Sequence, residues 1–78
     1  MLEQFLKANG LNRTKIGYLL DVSPPSTRLL LDKPMDMKIS QMVSLCNETN
    51  VSFQDLSGLI FGSHYVVMEN DKVKIMTK

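Results

Sequence analysis

Cysteine is almost absent. Cys46 is the single one, so the chain cannot close a disulfide within itself. That usage fits a reducing compartment, and a cytoplasmic protein is the expectation. No run approaches the ~18 apolar residues of a spanning helix, so no membrane partner is expected. The start of the chain lacks a basic segment followed by an apolar one, so no leader peptide is expected. Also missing are a glycine-rich phosphate loop, a carboxylate pair with a pocket, and a Ser/His/Asp arrangement with identifiable roles. His64 has no second histidine or nearby cysteine at ligand spacing, which speaks against a metal site. The expectation is a non-enzyme with no cofactor. A chain of 78 residues buries a thin core and has little room to enclose a reaction.

A large charge of one sign is absent too. The formal net charge is +1, so bulk charge does not announce a nucleic-acid partner. Its distribution is uneven. Residues 1–40 carry six basic side chains (Lys7, Arg13, Lys15, Arg28, Lys33, Lys38) against four acidic ones. Residues 41–71 carry four acidic side chains and no basic ones, and Lys72, Lys74 and Lys78 close the chain. A basic front and an acidic middle suit a weak one-sided field.

What is present is helical periodicity. In "LEQFLKA", residues 2–8, Leu2, Phe5 and Leu6 share one face, and "NG" at 9–10 supplies a left-handed stop. Asn12 is a good N-cap for a helix from Arg13 to about Leu20, with Ile16, Leu19 and Leu20 facing a core. Gly17, mid-helix, costs about 1 kcal/mol relative to Ala, which implies a backbone passing close by. "DVS" at 21–23 reads as a tight turn. A third helix follows to about Leu31 and stops before Pro34. The residue before a proline avoids helical geometry, so that helix is expected to begin at Pro25 rather than Pro24.

Residues 38–49 predict an amphipathic helix with Ile39, Met42, Val43 and Cys46 in its apolar stripe and Leu45 widening it. Ser52 as N-cap and Asp55 three residues on open a fifth helix, with Phe53, Leu56, Leu59 and Ile60 apolar and Gly62 at its end. The tail changes character. β-Branched residues and the Val73/Ile75 alternation with lysines predict strands at about 64–69 and 72–76, joined by "ND" at 70–71. The expected organisation is a helical domain over 1–62 and a C-terminal β-hairpin over 63–78, packed on the helices or mediating dimerisation.

The helices 13–20 and 25–31 with their short turn meet the demands of a helix-turn-helix: Gly17 for a close crossing, Leu20 before the turn, Val22 as a plug after it, and Thr27 with Leu30 turned inward. On these residues, 11–58 resembles the Cro/cI-type (XRE-like) helix-turn-helix family of phage and bacterial regulators. The likeness runs through "LNRTKIGYLLDVSPPSTRLLLDK", the helix over 38–49 and the closing "NVSFQDL". Three positions depart from the family pattern: Asp21 where glycine is usual, Arg13 where glutamine is frequent, and Pro24-Pro25 where polar base-reading side chains are usual.

The resemblance implies a mainly α fold, a five-short-helix lambda-repressor-like domain with an added hairpin. It also implies a transcriptional regulator that reads a palindromic operator in double-stranded DNA as a homodimer. The second helix of the motif would lie in the major groove. Neither proline can donate a hydrogen bond, so base reading would fall to Ser23, Ser26, Arg28 and Leu29. Arg28 suits guanine O6 and N7, and an outward Leu29 suits a thymine methyl. Asn12, Arg13, Thr14 and Lys15 at a helix start, with Lys33 and Lys38 flanking, would meet phosphates.

Plainer roles stay open for each. Arg28 stands four residues before Asp32, at ion-pair spacing. Ser23 and Ser26 suit caps, Arg13 and Lys15 suit a solvated surface, and Lys72 and Lys74 suit an edge strand kept from aggregating. The prolines, the small net charge and an outward Leu29 also fit a protein-interaction module on the same fold, such as an antirepressor, a repressor modulator or an inhibitor of a host defence complex.

Overall fold

The side chain of Asn12 starts the helix that organises the molecule. Its Oδ1 accepts from the Lys15 backbone N–H at 2.8 Å, filling one of the donors a helix start leaves unpaired. The computed structural model describes residues 2–78. Their order is α1 (Leu2–Ala8), α2 (Arg13–Leu20), α3 (Pro24–Asp32), a 3-10 turn (Pro34–Asp36), α4 (Ile39–Thr49), α5 (Phe53–Phe61), β1 (His64–Glu69) and β2 (Lys72–Thr77). The fold is mainly helical, with one antiparallel two-stranded sheet.

Each helix end has a local cause. Asp21 takes the left-handed conformation at φ 57°, and its N–H meets the Gly17 and Tyr18 carbonyls to close α2. Aspartate tolerates this region better than most residues, so the departure from glycine is accommodated. Ser23 caps α3 and Ser52 caps α5, each accepting from the backbone three residues on. Asn50 and Gly62 end α4 and α5 in left-handed geometry. Asn70 and Asp71 both have positive φ, at 50° and 62°, the geometry of a type I′ hairpin turn.

The core gathers Leu2, Phe5, Leu6, Leu11, Ile16, Leu20, Leu31, Met37, Met42, Leu45, Leu56, Leu59 and Ile60. Burial of this kind contributes about 1.5–3 kcal/mol per large side chain. Two residues close contacts that demand a small neighbour. A Cβ on Gly17 would lie 2.5 Å from Thr27 Oγ1, so glycine is what lets α3 approach α2. A Cβ on Gly58 would overlap the His64 ring, so Gly58 seats the start of the hairpin against α5. Val66, Val73 and Ile75 then lay one hairpin face on the helical core.

Several expectations need correcting. α3 begins at Pro24, not Pro25. With Ser23 extended and capping, the prolines occupy the first two helical positions, where a missing N–H costs no intrahelical bond. The inward residues of α3 are Thr27 and Leu31, four apart, while Leu30 is half-buried at the side. On α4 the core face is Met42 and Leu45, and Ile39 and Val43 are exposed. Periodicity found the helix but centred its stripe on the wrong edge. Phe53 is also exposed, at the first turn of α5. Leu11 and Met37 join the core from connecting segments, where no periodic signal marks them.

Candidate nucleic-acid interface

Helices α2 and α3 meet at the corner Asp21–Ser23, and the outer side of that corner collects most of the candidate residues. Thr27 anchors α3 from behind. It is 1% exposed, and its Oγ1 donates to the Ser23 carbonyl at 3.0 Å. Leu31 is buried one turn later. With that side fixed inward, the helical repeat turns Pro24, Pro25, Arg28, Leu29 and Asp32 outward, and all five are exposed. Leu29 is 66% exposed. The pairs Pro24/Arg28, Pro25/Leu29 and Arg28/Asp32 each stand one turn apart.

Arg28 and Asp32 have the spacing for an ion pair, yet none forms within 4.0 Å among the described residues. The Arg28 guanidinium is left exposed and uncommitted. Ser23 and Ser26 do act as caps. The Ser23 hydroxyl accepts from the Ser26 N–H at 3.4 Å and lies 3.1 Å from the Ser26 hydroxyl. Their remaining hydrogen-bonding capacity faces the start of α3.

The start of α2 is less free than the spacing suggested. Arg13 Nε donates to Glu3 Oε2 at 2.7 Å and Arg13 Nη2 to Glu3 Oε1 at 3.2 Å, a two-pronged bond that ties α1 to α2. Lys7 Nζ lies 3.7 Å from the same carboxylate. The Arg13 hydrogen bond holds the Glu3 carboxyl below the usual carboxylate range, and Glu3 raises Arg13 in turn. Lys15 Nζ sits 3.6 Å from Glu48 Oε1 on α4. Thr14 is exposed beside them. Lys33 is the residue at the end of α3 and Lys38 the residue before α4, and neither ammonium is in an ion pair among the described residues. The cations therefore divide: Arg28, Lys33 and Lys38 uncommitted, Arg13 and Lys15 each shared with a carboxylate.

Two contributors escaped sequence reasoning. Gln41 accepts the Lys38 N–H at its Oε1 (2.9 Å), and its Nε2 donates to the Leu20 carbonyl at 3.1 Å. One side chain thus caps α4 and holds it to the end of α2. Tyr18 is 86% exposed and lines a largely apolar groove between α2 and α3 with Val22, Pro24, Pro25 and Leu29, and the charged Arg13, Arg28 and Asp32 line the same groove. Only the packing of the two helices reveals that groove, since Tyr18 alone reads as an isolated surface aromatic.

Asp55, Ser63 and His64, in which the sequence offered no identifiable roles, come together. Ser63 Oγ is 3.1 Å from His64 Nδ1, and His64 Nε2 is 3.6 Å from Asp55 Oδ1. Ser63 Oγ also donates to the Gly58 carbonyl at 3.4 Å. Ser63 and His64 follow the Gly62 end of α5, whereas Asp55 lies in its first turn, so the three span the length of the helix. Their evident work is to fasten β1 to α5. Cys46 is half-buried beside the core, and burial pushes its thiol up. Among the described residues no cluster of three or more His, Cys, Asp or Glu is placed to hold a metal ion. No helix among them is long and apolar enough to cross a membrane.

No protein-family model matches the chain, and no curated protein or solved structure matches it.

Proposed function

We propose that the protein is a sequence-specific DNA-binding regulator of the Cro/cI type, with α2–corner–α3 as its helix-turn-helix. The observation that carries this is the outer face of α3. Thr27 and Leu31 hold the helix from behind, and Arg28, in no ion pair among the described residues, stands on the exposed side. A helix held this way can enter a major groove of ~12 Å width, with Arg28 as a two-pronged donor to guanine. Ser23 and Ser26 add hydroxyls at the helix start, Thr14 and the uncommitted Lys33 and Lys38 meet phosphates, and Arg13 and Lys15 join once their carboxylate partners are out-competed.

A homodimer reading a palindrome would place half-sites about 34 Å apart, one helical turn. The hairpin offers a surface for the second copy. Tyr65, Val67 and Met76 lie on the face away from the helical core, and each strand has one unpaired edge. The site is one for binding, with no catalytic role assigned to it, no cofactor, and a cytoplasmic setting in a bacterial cell.

Titrating the protein against genomic fragments in gel shifts at low salt tests this. Arg28→Ala should weaken binding to a recovered site by at least tenfold, the equivalent of about 1.4 kcal/mol. Unchanged binding by Arg28→Ala would mean that α3 is not the reading helix.

The apolar groove lined by Tyr18, Val22, Pro24, Pro25 and Leu29 favours a second reading, a protein-interaction module on the same fold. Arg28→Ala and Tyr18→Ala separate the two. Loss of DNA binding with the first alone favours the regulator. Loss of a co-purifying protein with the second favours the module.

A further inference from the structure

Resting on the DNA-binding reading above, we infer that α3 recognises its half-site chiefly through the C5-methyl groups of pyrimidines, with Pro24, Pro25 and Leu29 as the methyl-reading surface and Arg28 fixing a neighbouring guanine.

The inference follows from what the outward face of α3 can and cannot bond. Of its five exposed residues, Pro24, Pro25 and Leu29 carry no polar side-chain atom. The prolines also lack a backbone N–H, and their position at the start of α3 puts them at the end of the helix that enters a groove first. Pressed against the edge of a guanine, an adenine or an unmethylated cytosine, such a surface strips water from acceptors and donors and returns nothing. One group on the major-groove edge of unmodified DNA is apolar, the thymine methyl, and 5-methylcytosine presents the same group. Pro25 and Leu29 stand one turn apart on the same face, which makes a continuous apolar strip about 5–6 Å long between Cβ atoms. That length covers the methyls of adjacent pyrimidines, at 3.4 Å per step. Arg28 lies beside this strip, one turn from Pro24, with no ion-pair partner among the described residues. A single two-pronged donor next to two methyl contacts describes a half-site with a short thymine run adjoining a guanine.

Replacing thymine by deoxyuridine removes the methyl and leaves every hydrogen-bonding group in place. The experiment therefore uses the site recovered by selection from random DNA and measures Kd by fluorescence anisotropy for wild type, Leu29→Ala and Arg28→Ala. The wild-type protein should bind about fourfold more weakly for each critical thymine methyl removed, the equivalent of roughly 0.8 kcal/mol. Leu29→Ala should bring the thymine-to-deoxyuridine ratio close to one at its own position, while Arg28→Ala should weaken binding and leave that ratio unchanged. A second arm places cytosine or 5-methylcytosine at the critical position. Stronger binding to the methylated base shows that the methyl itself is read, whichever pyrimidine carries it. If the protein selects a site, yet deoxyuridine at every thymine changes Kd by less than twofold, methyl reading is wrong, while DNA binding through α3 stands where Arg28→Ala still weakens it. If no DNA is enriched at all, both fall. Leu29 is exposed, so its alanine variant keeps the fold, and an unchanged far-ultraviolet circular dichroism spectrum verifies this.

Discussion

An alanine at Gly17 would place its methyl 2.5 Å from Thr27 Oγ1 and 3.4 Å from the Val22 carbonyl oxygen. Thr27 has little freedom to yield. It is buried, its side chain is short, and its hydroxyl is held by the Ser23 carbonyl at 3.0 Å. Overpacking of this kind costs about 1–3 kcal/mol. Displacing the hydroxyl from its partner adds about 1 kcal/mol. Against these, alanine in a helix returns about 1 kcal/mol relative to glycine. The net expectation is a loss of about 1–3 kcal/mol. At the middle of that range the midpoint of thermal unfolding falls by about 8–16 °C for a domain this small. Urea and thermal unfolding followed at 222 nm measure it. Thr27→Ala removes the obstructing oxygen, so in that background Gly17→Ala should cost nothing or stabilise the protein by up to about 1 kcal/mol. If Gly17→Ala stabilises the otherwise wild-type protein, the close packing of α2 on α3 is not what glycine serves here.

Other outcomes follow from the same structure. The Ser57 hydroxyl is buried without a partner among the described residues, so Ser57→Ala should stabilise by about 1 kcal/mol in urea unfolding. Glu3 is held below the ordinary carboxylate range, mainly by the Arg13 hydrogen bond, so its contribution is present above that range and fades as pH falls through the lowered value. This pair is exposed and its effect is small. Glu3→Gln should flatten the acid limb of the stability profile slightly, least of all in high salt, while freeing Arg13 and tightening DNA binding. Cys46, with its thiol raised by burial, should react with a thiol reagent at neutral pH more slowly in the folded protein than in urea.

The sequence made the elements legible wherever a local cause sets them. Asn12, Ser23 and Ser52 cap helices through their own side chains, and Gly62 and the Asn70-Asp71 turn sit at positions whose left-handed backbone few residues accept. Gly17 was readable because a mid-helix glycine is expensive without a close neighbour. What periodicity could not decide was which edge of an apolar stripe faces inward. On α4 the expected stripe of Ile39, Met42, Val43, Cys46 and Leu45 keeps Met42 and Leu45 buried but turns Ile39 and Val43 outward, and only packing against the other helices sets that rotation. α3 starts one residue before Pro25 because Ser23 caps it in extended geometry and leaves the first helical position to Pro24, despite the proline that follows.

The candidate site was half legible. Thr27 behind and Arg28 and Leu29 outside follow from helix geometry. The commitments of Arg13 to Glu3 and of Lys15 to Glu48 join residues ten and thirty-three positions apart, so no local pattern contains them. The same holds for Gln41, whose bond to the Leu20 carbonyl crosses from α4 to α2. The groove beside Tyr18 is likewise a product of how two helices meet.

The central claim is that the exposed face of α3 reads DNA. Selection of bound sequences from a random duplex library tests it most directly. The expected result is a two-fold symmetric logo with half-sites about 34 Å apart, each with thymines adjoining a guanine, and loss of the guanine preference with Arg28→Ala. A library that returns no enriched sequence, or a logo that Arg28→Ala and Leu29→Ala leave unchanged, would contradict it.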